Sequence, residues 1–365
     1  MINSKLNILI VTSEFPPQPG GIGNHAFNLA LHLSKNGHRV RVIADQRSKT
    51  GTEEKDFDKD LPFSIDRVKL YNLRFIMYLK RIVLTFKSMR GSSHCIATGK
   101  FSLWNVAFCS FFFKRKTIAV VHGSEVNFKS VILRKSINLS LNRFDKIVAV
   151  SNYTKSLIAH LKKAIVVIPN GITTSLWKNS KEKIQLKGRP ILTTVGRVSS
   201  RKGQLNVIKH LPELIKQFPE IHYHCIGIPT EADAFIKIAE SLTVGSYITF
   251  HGSVDDDRLK QLLETTDIFV MLSTESVTGD VEGFGIAILE ANAMGIPAIG
   301  ARGCGIEDAI DTGKSGILID ANNTKQFINS ISLIMTEKPK FNSEAISWAQ
   351  THDWDRIVKL YLALF

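Results

Sequence analysis

Short apolar runs alternate with amphipathic stretches along the chain. Residues 6–12 carry the apolar pattern of a buried strand, and residues 26–36 follow with Phe27, Ala30, Leu31 and Leu33 at helical spacing before Gly37 stops the helix. Residues 38–44 read as the next strand, so the chain opens with a strand–helix–strand unit. Further apolar runs at 117–121, 146–151 and 164–168 predict three more strands, and a polar stretch after Asn170 and Gly171 reads as a linker that includes residues 181–188. Beyond it, strands are expected at 190–195, 222–227, 247–251, 267–273 and 297–300. Helices are expected at 205–214, 258–265, after 286, at 322–336 and at 343–365. Helices between continuous apolar strands predict an α/β fold of two parallel-sheet domains. Residues 46–66 read as a charged loop, and residues 67–90 as one basic, apolar helix.

Composition changes this picture little. A chain of 365 residues with 44% hydrophobic and 22% charged residues is long enough for two cores and excludes a disordered protein. Cys95, Cys109, Cys225 and Cys304 lie far apart with no metal-binding spacing and no secretory signal ahead of them, which suits a reducing cytoplasm. The longest apolar run, 103–113, falls well short of the ~20 residues that span a bilayer, so no segment is expected to cross a membrane.

Charge changes it more. The net +14 divides unevenly: residues 1–172 hold 27 Lys and Arg against 10 Asp and Glu, or +17, and residues 173–365 hold 20 against 23, or −3. An anionic partner surface is expected for the first half alone. Residues 67–90 hold seven basic residues and no acid, and Lys114, Arg115 and Lys116 follow Phe111, Phe112 and Phe113. This stretch either lies in a membrane interface or packs an apolar face on a sheet. No nucleic-acid recognition motif is present, so nucleic acid is not the expected partner.

The candidate chemistry centres on residues 279–291. Strand 267–273, a loop holding Ser, Thr and Gly, and the helix start at Gly283, Phe284, Gly285 and Ile286 leave backbone N–H groups and a positive dipole end pointing at an anion, as a phosphate requires. Glu282 stands just before that helix and Glu290 two turns within it, both suited to hydroxyl-rich groups. Gly196-Arg197 at a strand end and Lys202-Gly203 before a helix supply two cations for a diphosphate, with Arg201 the lesser candidate. His122 follows strand 117–121, at the end where open α/β sheets bind ligands. Gly21-Ile22-Gly23-Asn24-His25-Ala26 matches a dinucleotide fingerprint, but residues 13–20 separate it from the strand by too much for that tight turn, which argues against a nicotinamide site. Gly20, Gly21 and Gly23 still allow close backbone approach to a ligand, while His25 either faces the ligand or sits on the helix surface. Asp255-Asp256-Asp257 contains a metal-type Asp-x-Asp, yet it precedes a helix, where carboxylates cap free N–H groups; no metal site is expected.

Glu282 with Glu290, the Arg197 and Lys202 pair, the Gly20–Gly23 loop and the His122-Gly123 pair together resemble the motifs of retaining glycosyltransferases of the family 4 type, which include bacterial polysaccharide, lipopolysaccharide and mannosyl transferases. The resemblance spans most of the chain. It implies the GT-B architecture: two Rossmann-like parallel-sheet domains facing a cleft, an acceptor-side domain 1–172, a nucleotide-sugar-binding domain 173–345, and a final helix 346–365 that crosses back to the first domain. It implies hexosyl transfer from a nucleotide diphosphate sugar with retention and without a metal or other cofactor. Arg197, Lys202 and the 283–286 amides would stabilise the leaving diphosphate, Glu282 and His122 would hold the sugar, Glu290 the ribose, and Gly20, Gly21 and Gly23 would lie against the donor phosphates and the acceptor. The expected acceptor is a glycan, lipid-linked, in bacterial surface polysaccharide synthesis, with the protein cytoplasmic and peripheral on the inner face of the plasma membrane. A nucleotide-sugar epimerase of like architecture and a basic nucleic-acid binder are the competing readings.

Overall fold

The computed structural model describes residues 5–178, 184–276 and 279–365. Lys181, Glu182 and Lys183 of the expected linker, and Val277 and Thr278 of the loop ahead of Glu282, lie outside the described residues. The chain forms two compact units, one running to Asn170 and taking up Trp354–Phe365 again, the other Gly171–Asp353. The division stands at 170/171 rather than 172/173, and the final segment joins the first unit from Trp354 rather than from residue 346.

The first unit runs β1 (Asn7–Thr12), α1 (Gly21–Lys35), β2 (Arg39–Asp45), α2 (Thr52–Asp58), β3 (Ser64–Val68), α3 (Arg74–Met89), β4 (His94–Thr98), α4 (Lys100–Cys109), β5 (Lys116–Val121), α5 (Val131–Leu141), β6 (Lys146–Ala149), α6 (Asn152–Leu157) and β7 (Ile165–Val167). Its parallel seven-stranded sheet has the order β3-β2-β1-β4-β5-β6-β7. Right-handed crossovers place helices on both faces: those stepping outward through β2 and β3 lie on one side, and those stepping through β5 to β7 on the other. Accordingly α3, α4 and α5 share one core with the sheet through Met89, Leu103, Val106, Ile137 and Leu141.

Two expectations fail here. The stretch 67–90 is not one helix: Arg67 and Val68 complete β3 at the sheet edge, where the Arg67 guanidinium donates to both Asp58 carboxylate oxygens at 3.0 and 2.7 Å. Residues 46–66 likewise hold α2 and most of β3, because β2 needs a partner on its outer side and Ile65 and Val68 supply it. Of the seven basic residues, Arg81 is buried at 3% side-chain exposure and pairs with Asp45, its Nε 3.0 Å from Oδ1. Lys69, Arg74, Lys80, Lys87 and Arg90 are exposed.

The second unit runs β8 (Ile191–Val195), α7 (Gln204–Gln217), β9 (His222–Ile226), α8 (Ala232–Ser241), β10 (Ile248–Gly252), α9 (Asp256–Glu264), β11 (Ile268–Met271), α10 (Ile286–Ala293), β12 (Ala298–Ala301), β13 (Gly316–Ile319), α11 (Thr324–Thr336) and α12 (Lys338–Thr351). Its six parallel strands are ordered β10-β9-β8-β11-β12-β13. Val207, Ile208, Leu211 and Leu214 of α7 join Phe327, Ile331 and Ile334 of α11 over one face. Asp255 caps α9 by accepting from the Arg258 N–H at 2.8 Å.

The predicted helix 343–365 is two helices, α12 and α13 (Trp354–Leu362). The break falls at Asp353, which bridges Ile172 and whose carboxylate accepts from the Thr174 backbone N–H at 3.0 Å and hydroxyl at 2.6 Å. Helix α13 then packs on α1 of the first unit, burying Trp354, Ile357, Val358 and Tyr361. Among the described residues, no helix is long and apolar enough to cross a membrane.

Candidate active site

Each sheet has one place where successive connections run in opposite directions, and there the strand ends open a crevice. In the second unit this point lies between β8 and β11. Strand β8 delivers Gly196 and Arg197, and a short helical turn, Ser200–Lys202, carries Arg201 and Lys202 into α7. Gly203 between them has φ +84°, and a Cβ there would collide with the Leu272 carbonyl at the end of β11. Only glycine lets α7 start against that strand end. The Lys202 chain lies over Gly196, whose absent Cβ leaves that space: a side chain there would meet Lys202 Cε at 3.2 Å.

Opposite these cations is Glu282. Its Oε2 is 2.6 Å from Arg201 Nη1 and 2.7 Å from Lys202 Nζ, with the carboxylate side chain 12% exposed. Burial pushes this carboxyl up, but the Lys202 and Arg201 charges more than reverse it and hold it below its usual range. The main chain beside it is fixed, since Gly305 N–H donates to the Glu282 carbonyl at 2.9 Å and Gly305 has no room for a side chain against Gly283. Gly283, Phe284 and Gly285 then lead to α10, which has no acidic residue in its first turn and no side-chain cap on its N-terminal N–H groups. The Ile288 N–H turns back to the Gly285 carbonyl at 2.9 Å, and no side chain competes with an anion at this helix start. Glu290 lies in α10, its carboxyl pushed up to about 7 by burial, with Lys202 opposing and Asp256 adding to the shift.

Arg197 is exposed and does not join the Glu282 cluster; its carbonyl is held by Gln204 Nε2 at 3.1 Å. Arg201, the lesser candidate by sequence, stands in the cluster instead. Its signal was its place beside Lys202 at a helix start.

In the first unit the corresponding point lies between β1 and β4. The loop after β1 brings Gly20, Gly21 and Gly23 to the start of α1, which begins at Gly21, five residues earlier than the pattern suggested. Gly23 packs on the Glu14 and Phe15 backbone, where a Cβ would come within 2.9 Å. One strand further, His122 accepts or donates through Nε2 to the Thr98 hydroxyl at 2.8 Å. Burial pushes its imidazole down to about 3, so the ring is neutral. His25 is not a surface residue: it is buried, 3.0 Å from the Tyr361 hydroxyl, with its ring against His122 and Trp354. Burial, then the neighbouring His122, holds its pKa well below the usual value. Glu125, which sequence reasoning passed over, is fully buried; its Oε1 accepts from the His122 N–H at 2.5 Å. Burial pushes its carboxyl up to about 7.

Two family models match the chain. The model for glycosyltransferase family 4 matches residues 19–176, and that for glycosyl transferases group 1 matches residues 177–351. The chain belongs to the family 4 type of GT-B glycosyltransferases. This glycosyltransferase is 25% identical to a GDP-mannose-dependent alpha-(1-6)-phosphatidylinositol monomannoside mannosyltransferase of Mycolicibacterium smegmatis, over 90% of this chain and 89% of the relative. It is 24% identical to a putative colanic acid biosynthesis glycosyltransferase, WcaL, of Salmonella typhimurium, over 58% of this chain and 53% of that one. Its fold matches that of Anabaena HepE in complex with UDP and glucose at a TM-score of 0.76 and 19% identity, covering 98% and 99% of the two chains. A sucrose-phosphate synthase of Thermosynechococcus elongatus matches at a TM-score of 0.79 and 16% identity, covering 99% of each.

Within the glycosyltransferase, then, Lys202, Glu282, the 283–286 segment and Glu290 belong to the second unit's crevice, and His122 with Gly20, Gly21 and Gly23 to the first unit's strand ends. Thr98 and Glu125 are the additions the structure makes, and Arg201 moves from the lesser candidate into the Glu282 cluster. Thr98 and Glu125 carry no motif of their own and are found only by their bonds to His122.

Proposed function

We propose that this enzyme moves a sugar from a nucleoside diphosphate donor to a hydroxyl of a glycan acceptor, with retention and without a metal. The observation that carries the reading is Lys202, bonded to Glu282 just ahead of an α10 N-terminus that no side chain caps, at the second switch point. As the bond from the anomeric carbon to the diphosphate oxygen breaks, charge grows on that oxygen. Lys202, Arg197 and the Gly283, Phe284, Gly285 and Ile286 amides stabilise it. The acceptor oxygen bonds to the anomeric carbon from the same face, and its proton passes to the leaving phosphate oxygen. Glu282 meets the sugar and Glu290 the ribose; the assignment of His122 to the sugar rests on its His-Gly pair.

The names of the relatives support the finer reading. A phosphatidylinositol-linked mannoside as acceptor and a role in colanic acid synthesis fit a lipid-linked glycan in bacterial surface polysaccharide assembly. In this reading the partner of the first unit is anionic lipid on the inner membrane face, and exposed apolar and basic side chains support it. Leu73, Phe75, Leu79 and Val83 are exposed on or beside α3, and Phe111, Phe112, Ile132 and Leu139 on or after the adjoining α4 and α5, with Arg74, Lys80 and Lys87 among them.

Donor hydrolysis measured against UDP-, GDP-, dTDP- and ADP-sugars, with and without EDTA, tests the reaction. Turnover of one donor that survives EDTA is the expected result. Activity abolished by EDTA and restored by Mg²⁺ or Mn²⁺ would remove the metal-free mechanism. Donor conversion to an epimer with no acceptor present would make the enzyme an epimerase.

A further inference from the structure

We infer that the diphosphate site of this glycosyltransferase carries its own counter-anion: the Glu282 carboxylate occupies the Arg201 and Lys202 cations when no donor is bound and yields them when a diphosphate enters. The inference rests on the donor-site reading above and adds Arg201 to it as a diphosphate-binding residue.

The geometry leads there directly. A leaving diphosphate needs cations at the α7 start and N–H groups at the α10 start, yet both available cations of the α7 turn already point at one carboxylate oxygen, at 2.6 and 2.7 Å. These distances are those of charge-assisted bonds. Arg201 and Lys202 remain 29% and 16% exposed, so the pair is open to an entering anion from one side. Two negative groups cannot share the same two cations without repulsion, and the more highly charged diphosphate is the stronger partner. The Glu282 backbone is held by the Gly305 N–H, so the change is a rotation of the side chain rather than a movement of the loop. Glu282 is thereby freed to meet the donor sugar only after the diphosphate is seated, which couples sugar positioning to phosphate occupancy.

The coupling makes an unusual demand: removing a residue of the active site should strengthen anion binding. Isothermal titration of the full chain with inorganic pyrophosphate, UDP and GDP in EDTA reads it. Glu282→Gln is expected to bind pyrophosphate about tenfold more tightly than wild type, the scale of one charged bond no longer in competition. Glu282→Ala should show the same gain, which a misfolded variant would not produce. Arg201→Gln should bind about tenfold more weakly than wild type, and the Glu282→Gln gain should shrink in the Arg201→Gln background, where one cation is gone. Unchanged or weaker pyrophosphate binding in both Glu282 variants, or unchanged binding in Arg201→Gln, overturns the proposal while leaving the donor site in place. If wild type binds neither pyrophosphate nor any nucleoside diphosphate, the donor-site reading itself fails, and the counter-anion with it.

Discussion

Two enclosed ion pairs show how one architecture separates stability from chemistry. In the first unit Arg81 meets Asp45 with 3% and 13% of the side chains exposed; in the second, Lys202 and Arg201 meet Glu282 with 16%, 29% and 12% exposed. Their carboxyls move in opposite directions. At Asp45 burial wins and raises the pKa despite the Arg81 bonds, whereas at Glu282 two cations outweigh burial and lower it. At Asp45 a single buried guanidinium is hydrogen-bonded to the carboxylate, with Arg47 and Arg67 farther off, a structural clamp; at Glu282 two part-exposed cations bond one carboxylate oxygen and leave net positive charge for a ligand. The guanidinium of Arg81 also lies over Phe101, 4.4 Å from the ring centroid, and Asn105 Nδ2 donates to the Arg81 backbone carbonyl at 3.4 Å, so the clamp ties α3 to α4 and β2.

Breaking each pair should therefore fail differently. Arg81→Gln strands the Asp45 carboxylate in the interior and should cost about 3–5 kcal/mol of stability in denaturant unfolding. If it instead leaves stability intact and weakens vesicle binding, Arg81 reaches the surface and the contrast collapses. Lys202→Ala should reduce donor turnover about 10²–10³-fold with its unfolding midpoint nearly unchanged, on the scale of one removed oxyanion donor. Arg197→Ala should lower turnover less, because Arg197 stands outside the cluster.

The strand ends sharpen the contrast through pH. Glu125 has its carboxyl raised from 4.5 to about 7, so the fold favours its protonated form: its contribution is fully present below the unfolded value and is lost as pH rises through the folded one. Glu125→Gln should leave thermal stability unchanged at pH 4 and raise it at pH 8 by about 1–3 kcal/mol. An equal shift at both pH values would mean that the carboxyl stays ionised in the fold. His122 has the opposite sign. Its folded value of about 3 lies below the ordinary 6.5, so the stability it contributes is present above 6.5 and fades as pH falls toward 3. The smallest effect is expected at the surface of α3. Lys80→Gln with Lys87→Gln should weaken binding to anionic vesicles by about 1 kcal/mol per residue, measured by sedimentation at low salt, and should not alter donor hydrolysis. Equal sedimentation with neutral and anionic vesicles would remove the lipid partner.

The sequence by itself determined the two parallel sheets, because strands buried on both faces read as unbroken apolar runs, and it pointed to the candidate site of the second unit, because glycines, neighbouring cations and a helix start follow one another closely in the chain there. Asp255 as a helix cap was legible for the same local reason. What depended on residues distant in sequence was decided only by tertiary structure. Arg67 belongs to β3 because β2 needs an outer neighbour, and Arg81 leaves the basic surface because Asp45, thirty-six positions earlier, is buried beneath it. His25 meets Tyr361 across 336 residues, and Asp353 interrupts the last helix because Ile172 and Thr174 bind it there. A local pattern records which face of an element is apolar. It does not record which charged group will find a partner inside the fold, and that pairing separates Arg81 from Lys80 and Arg201 from Arg197.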